Sequence, residues 1–127
     1  MSSASKAGSS DLAAIEVQAI RAVIAAYAEG MRTHNVAVLQ SAFHEQAIMC
    51  GYLGDDVIAG PIATLYAYVE SNPAPPEHAC DVLTIEVTGR VASASVRELY
   101  HDTAIDYFHL LKVGDRWWIV SKLWDED

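Results

Sequence analysis

The C-terminal stretch from Ala104 to Trp124, AIDYFHLLKV-GD-RWWIVSKLW, constrains the fold more than any other part of the chain. Two runs of β-branched and aromatic residues flank Gly114-Asp115, a two-residue turn signal with glycine first. With that pair as the loop, Val113 faces Arg116, Leu111 faces Trp118, His109 faces Val120 and Tyr107 faces Lys122. Partners across an antiparallel pair share a face. One face then carries Ile105, Tyr107, His109, Leu111, Trp118, Val120, Lys122 and Trp124. The other carries Asp106, Phe108, Leu110, Trp117, Ile119 and Leu123. Both are largely apolar, so one covers an internal core or cavity and the other a second layer or a partner subunit.

The rest of the chain supplies what such a hairpin packs against. Asp11 to about Met31 reads as a helix, with Ser10 or Asp11 as cap and Leu12, Ile15, Ala19, Val23, Tyr27 and Met31 recurring every three or four residues. Asn35 caps a second, shorter helix carrying Val36, Val38, Leu39 and Phe43. Between Ala47 and Ala59 the pattern suits two short strands around Gly54-Asp55-Asp56. Gly60-Pro61 then starts a third helix, proline being favoured at the first position, and Asn72-Pro73 stops it. Ala79 to His101 forms a hairpin turning at Gly89-Arg90, with Leu83, Ile85 and Val87 opposite Val96, Ala94 and Ala92 on one apolar face. Helices segregated from a run of strands define an α+β domain, here residues 11–127, behind a disordered small-residue leader at 1–10.

Charge narrows the partners. The formal net charge is −9 and the eight lysines and arginines form no run, which disfavours nucleic acid and anionic membranes. Residues 1–10 carry no apolar signal segment, and no run is long enough to span a bilayer, so the expected location is cytoplasmic. Cys50 and Cys80 are too few for a disulfide framework and read as reduced thiols.

The element order, together with IAAYAEGMRTHN, FHEQAIMCGYLGD, VTGRVASASV and DYFHLLKVGDRWWIVSKLW, resembles the nuclear transport factor 2-like superfamily over about residues 11 to 125. Within it, the chain is most similar to the putative lumazine-binding (SnoaL-like, ketosteroid-isomerase-like) group. The resemblance implies a cone-shaped barrel, in which a curved antiparallel sheet wraps around three N-terminal helices, as in cystatin-like folds. It also implies an internal pocket and a homodimer through the outer sheet face. The scaffold hosts binders and unrelated enzymes alike, so the fold alone names no reaction. In the ketosteroid isomerase pattern Tyr27 matches the helix tyrosine. The base position falls near Gly51, where no carboxylate stands, and the acid position near Tyr107. The same comparison places Tyr107, Trp118, Val120, Lys122 and Trp124 on the cavity face.

The pocket candidates are therefore Tyr27, His44, Tyr52, Tyr107, His109, Trp118 and Lys122. Lys122 either serves a ligand, pairs with a carboxylate, or extends to water along its apolar stem. His44 either projects to the cavity mouth or caps the second helix. Asp106 is expected to be structural, taking hydrogen bonds at an interface or from Ser121 or an arginine, because a buried carboxylate needs partners; the alternative, a catalytic role, requires the register to be off by one. Trp118 and Trp124 pack in core or interface, or stack on a flat ring. His34, His78 and His101 are expected at the surface. Glu77, His78, Cys80 and Asp81 lack a second cluster at ligand spacing and read as the start of a strand, so neither metal nor cofactor is expected.

These observations favour a small-molecule-binding domain with an apolar, aromatic-lined cavity for a flat heteroaromatic or carbonyl-bearing ligand. The alternatives are a cofactor-free isomerase, cyclase or dehydratase using a histidine base and a tyrosine donor, and a homodimerisation module. The missing base weighs against catalysis. Phe108, Leu110, Trp117 and Ile119 are the residues expected at the homodimer face.

Overall fold

The structure, a computed structural model, describes residues 3–72, 74–99 and 103–126. The expected surface residue His101, the helix stop at Pro73 and the first two residues of the expected leader lie outside them. Helix α1 runs Ser3–Thr33 and α2 Val36–Ala42, followed by β1 (Phe43–Leu53), β2 (Asp56–Pro61) and α3 (Ala63–Ser71). Then come β3 (Ala79–Thr88), β4 (Val91–Leu99), β5 (Thr103–Val113) and β6 (Arg116–Glu126).

Local chemistry explains most of these boundaries. Asn35 accepts a hydrogen bond from the Val38 amide at 3.2 Å and so caps α2. Gly54, Gly89 and Gly114 hold positive φ at the three hairpin turns, a region where a side chain costs energy. Helix α1 begins eight residues before the expected Asp11, inside the stretch assigned to a disordered leader, since nothing between Ser3 and Ser10 breaks a helix as proline would. Pro61 ends β2, paired with Ile48, instead of opening α3.

The six strands form one open sheet in the order β2-β1-β6-β5-β4-β3. It is mixed: β1 pairs with β6 in parallel and all other neighbours are antiparallel. The expected all-antiparallel sheet thus fails at one junction, where the first strand, β1, runs in the same direction as the last, β6. The helices cover the concave face. Ile20, Ile24 and Tyr27 of α1 and Leu65 and Val69 of α3 bury against Phe108, Leu110, Trp117 and Ile119. Glu16 of α1 fastens the last hairpin by accepting from Trp117 Nε1 at 2.5 Å and Lys112 Nζ at 2.7 Å.

Two β-bulges correct the expected faces. The C-terminal register begins as the turn dictates, with Val113 opposite Arg116 and Leu111 opposite Trp118. Val120 is then an extra residue, so His109 pairs with Ser121, Tyr107 with Leu123, Phe108 with Lys122 and Asp106 with Trp124. Asp106, Phe108, Leu110, Trp117, Ile119, Lys122 and Trp124 therefore share the inner face, while Tyr107, His109, Leu111, Trp118 and Leu123 face outward. Phe108, Leu110, Trp117 and Ile119, expected at a dimer face, are core residues. Leu83 is the extra residue in β3, which turns Val82 inward opposite Val96 and leaves Leu83 exposed.

The inward turn of β6 needs Gly51. A Cβ there would collide with the Trp124 indole and carbonyl, so the indole packs directly on the β1 backbone. The position that resembled a catalytic base is filled by this contact. Gly51→Ala is expected to lower stability by about 1–3 kcal/mol, the cost of overpacking a closed core, measured as a shift in the urea midpoint at constant slope.

Candidate functional site

The inner face ends in a polar cluster beneath an apolar cavity. Strict alternation along β4 places Ala92, Ala94, Val96 and Glu98 inward, so Glu98 continues the apolar stripe into the interior. Its carboxylate accepts from the Tyr27 hydroxyl at 3.0 Å through Oε2 and meets His78 Nε2 at 2.8 Å through Oε1. Lys122 donates to Asp106 Oδ1 at 3.1 Å and lies 3.9 Å from Glu98 Oε2. All five side chains belong to buried residues. Tyr27 is fixed further by edge-on contacts with Phe43 and Phe108, ring centroids 5.7 and 5.2 Å away.

Two carboxyls and one ammonium in a dry interior are neutral only if one carboxyl keeps its proton. Burial pushes Asp106 well above the ordinary carboxyl range, and neighbouring Glu98 adds to the push against the opposing attraction of Lys122. Burial also opposes ionisation of Glu98, yet hydrogen bonds from Asp106 and His78 and the Lys122 charge outweigh it and hold Glu98 down at about 2. Asp106 is the protonated partner and Glu98 the anion. Asp106 Oδ2 is buried without a hydrogen-bond partner among the described residues. Burial, then the Glu98 charge, drives the Tyr27 hydroxyl well above its usual value, so it remains a donor.

The cavity above this floor measures about 200 Å³. Met49, Leu65, Tyr68 and Trp124 supply apolar walls, while Glu98 and Lys122 close the polar end. The Lys122 ammonium sits 4.2 Å from the centroid of the Trp124 ring, which orients both side chains.

The sequence-based candidates divide among several places. Lys122 is at the cavity floor, paired with a carboxylate, and Tyr27 stands behind that floor. Tyr107, His109 and Trp118 are on the outer face, because the opposite set, Phe108, Leu110, Trp117 and Ile119, forms the core; the Val120 bulge returns only Lys122 and Trp124 to the inner side. Tyr52 alternates outward with Cys50 on β1 and is exposed. His44 lies past the end of α2, where Phe43 already starts β1. It lines a separate cleft of about 550 Å³ with Gln40, Tyr66 and Trp118, its ring 6.2 Å from the Trp118 ring. His34 is exposed as expected, whereas His78 is buried against Glu98. Asp106 lies in the interior beside Lys122 and Glu98, accepting from Lys122 instead of from Ser121 or an arginine. Glu98 was missed, although extending the β4 alternation by two residues would have found it.

Comparison with known proteins fits this geometry. The family described as putative lumazine-binding matches residues 15–125. The chain belongs to that family. An NTF2-like protein of unknown function from Shewanella baltica is 30% identical, with a TM-score of 0.81 over 90% of this chain and 95% of that one. Another from Methylobacillus flagellatus is 28% identical, with a TM-score of 0.82 over 88% and 92%. A putative ketosteroid isomerase from Shewanella frigidimarina shares the fold at 16% identity, with a TM-score of 0.62 over 84% and 94%. No curated protein matches. The chain is thus an α+β member of the nuclear transport factor 2-like superfamily.

The charge assignment predicts opposite behaviour for the two carboxyls. Glu98→Gln leaves Lys122 and its other partners without their anion and is expected to cost about 3–5 kcal/mol. Because Glu98 titrates lower in the folded chain than its ordinary 4.5, its contribution is present above that pH and lost as pH falls through about 2. The raised Asp106 value makes its contribution full below 3.8 and lost as pH rises through the folded value, so Asp106→Asn should lose less stability than the wild type as pH rises above 3.8. Denaturant unfolding across pH measures both.

Proposed function

We propose that this chain is a small-molecule-binding domain whose ligand occupies the cavity above Glu98 and Lys122. The observation that carries the reading is the pairing of apolar walls with one ammonium–carboxylate floor, the arrangement of a site that takes an apolar body and orients it by few polar groups. At about 200 Å³ the cavity is below the roughly 300–1,000 Å³ of larger ligand sites, so it suits one or two flat rings bearing a carbonyl or ring nitrogen. Trp124 offers a stacking face and Lys122 a donor. The family description, putative lumazine-binding, supports a flat heteroaromatic ligand.

Catalysis is the weaker reading. A general base works best with a pKa near the operating pH, and Glu98 at about 2 is far too weak. The two histidines considered as bases lie elsewhere, His109 on the outer face and His44 in the α2–α3 cleft.

Native mass spectrometry of the protein as purified tests the binding reading. The expected result is a small adduct released on denaturation and absent from Ala104→Leu, which fills the cavity from the β5 side. An adduct retained by folded Ala104→Leu would place the ligand elsewhere and overturn it.

We also propose a cytoplasmic homodimer, formed through the outer face with a different set of residues from those first expected. Tyr107, Leu111 and Leu123 are 57%, 37% and 50% exposed on that face, and Tyr107 stands directly opposite Leu123. Neither cysteine is paired, as suits a reducing compartment, and no helix among the described residues is long and apolar enough to cross a membrane. Leu123→Glu should convert the dimer to a monomer in sedimentation at micromolar concentration. A wild-type monomer under those conditions would remove the proposal.

A further inference from the structure

We propose that His78, Cys80 and Glu98 form a binding site for one transition-metal dication of the zinc type. The three side chains come from facing positions. Cys80 on β3 pairs directly with Glu98 on β4, and His78, two residues before Cys80, lies on the same side. One donor atom from each lies within 4.8 Å of the others. Zinc takes nitrogen at about 2.0–2.1 Å, sulfur at about 2.3 Å and carboxylate oxygen at about 2.0–2.2 Å, so tetrahedral ligands stand roughly 3.3–3.8 Å apart. The 2.8 Å contact between His78 Nε2 and Glu98 Oε1 needs to open only slightly to admit the ion between them. Two ligands are buried and Cys80 is half-buried, which gives a desolvated site with a mixed N, S and O donor set.

The cluster seen in the linear sequence is reduced and completed by folding. Glu77 and Asp81 are exposed, so only His78 and Cys80 of that group turn inward. Glu98, twenty residues beyond His78, is the missing third donor. Its two oxygens are already divided in direction, Oε1 toward His78 and Oε2 toward Tyr27 and Lys122. A dication at Oε1 is therefore on the far side of the carboxylate from the Lys122 ammonium. On binding, the Cys80 thiol proton leaves to solvent and the His78 proton resides on Nδ1, leaving Nε2 as the ligand atom. Three protein ligands leave a fourth tetrahedral position for water.

The site is tested with metal alone, so its failure is separable from failure of the cavity reading. Untagged protein stripped with a chelator is titrated with cobalt(II), then with zinc. The expected result is one cobalt per chain, with a near-ultraviolet thiolate-to-cobalt band and the intense visible bands of tetrahedral geometry, all displaced by one equivalent of zinc. Cys80→Ser should lose the thiolate band. His78→Gln should weaken cobalt more than about 100-fold, beyond the ~10–100-fold that loss of an outer-shell partner causes. Cys50→Ser, on the opposite face of the sheet, should retain the wild-type spectrum. Near-ultraviolet circular dichroism of the stripped variants verifies that each is folded. Absence of the band from folded wild-type protein, or its persistence in Cys80→Ser, would overturn the assignment.

Discussion

Compensating the Glu98 anion inside the protein is the constraint on which the other features of the inner face depend. An isolated carboxylate removed from water is prohibitively costly unless hydrogen bonds and an opposite charge replace its hydration. Tyr27 of α1, His78 of the loop before β3, Asp106 of β5 and Lys122 of β6 arrive from separate parts of the chain to do so. Lys122 reaches the cluster only because Val120 is extruded from the ladder, which restores the lysine to the inner side of β6. The same half-turn brings in Trp124, and Gly51 is the residue on β1 that leaves room for the indole. Bulge, glycine, tryptophan and lysine form one solution to one electrostatic problem.

That solution also shapes the cavity. The polar floor is held by bonds among its own members, with Asp106 Oδ2 the carboxyl oxygen left without a partner among the described residues. The walls above it are thioether, aliphatic and aromatic groups from α1, α3, β1, β2 and β6, with Ala104 of β5 the small residue that leaves space. A protonated Asp106 beside an ionised Glu98 keeps the cluster near neutrality with the Lys122 charge included. Such a floor presents a donor and an acceptor at fixed positions. It suits recognition more than proton transfer, since its only anion is very weakly basic.

On the other side of the sheet Tyr107, Leu111 and Leu123 are exposed, and the bulge that buries Lys122 is what turns Leu123 outward. Interior and exterior are coupled along β6 past Val120: shifting that stretch by one residue exchanges the groups on its two faces. Near the edge strand β3, a second bulge at Leu83 sets Val82 inward and aligns Cys80 with Glu98. Irregularities in the ladder, more than the ladder itself, decide which chemistry meets.

What the sequence determined by itself was local. Glycines at the three turns, Asn35 at the head of α2, the helical periodicity that carries Tyr27, and the strand alternation near each turn follow from sterics and periodicity over a few residues. They established the helices, the hairpins and the α+β class, and the family likeness supplied the cone. Tertiary structure decided the parallel union of β1 with β6, the bulges at Leu83 and Val120, and hence the faces. A period-two pattern with apolar residues on both sides cannot fix register beyond the turn, because either face of β6 satisfies it locally. The choice was made by charges distant in sequence: Glu98 and Asp106 required Lys122, and only the assembled sheet brings the three together.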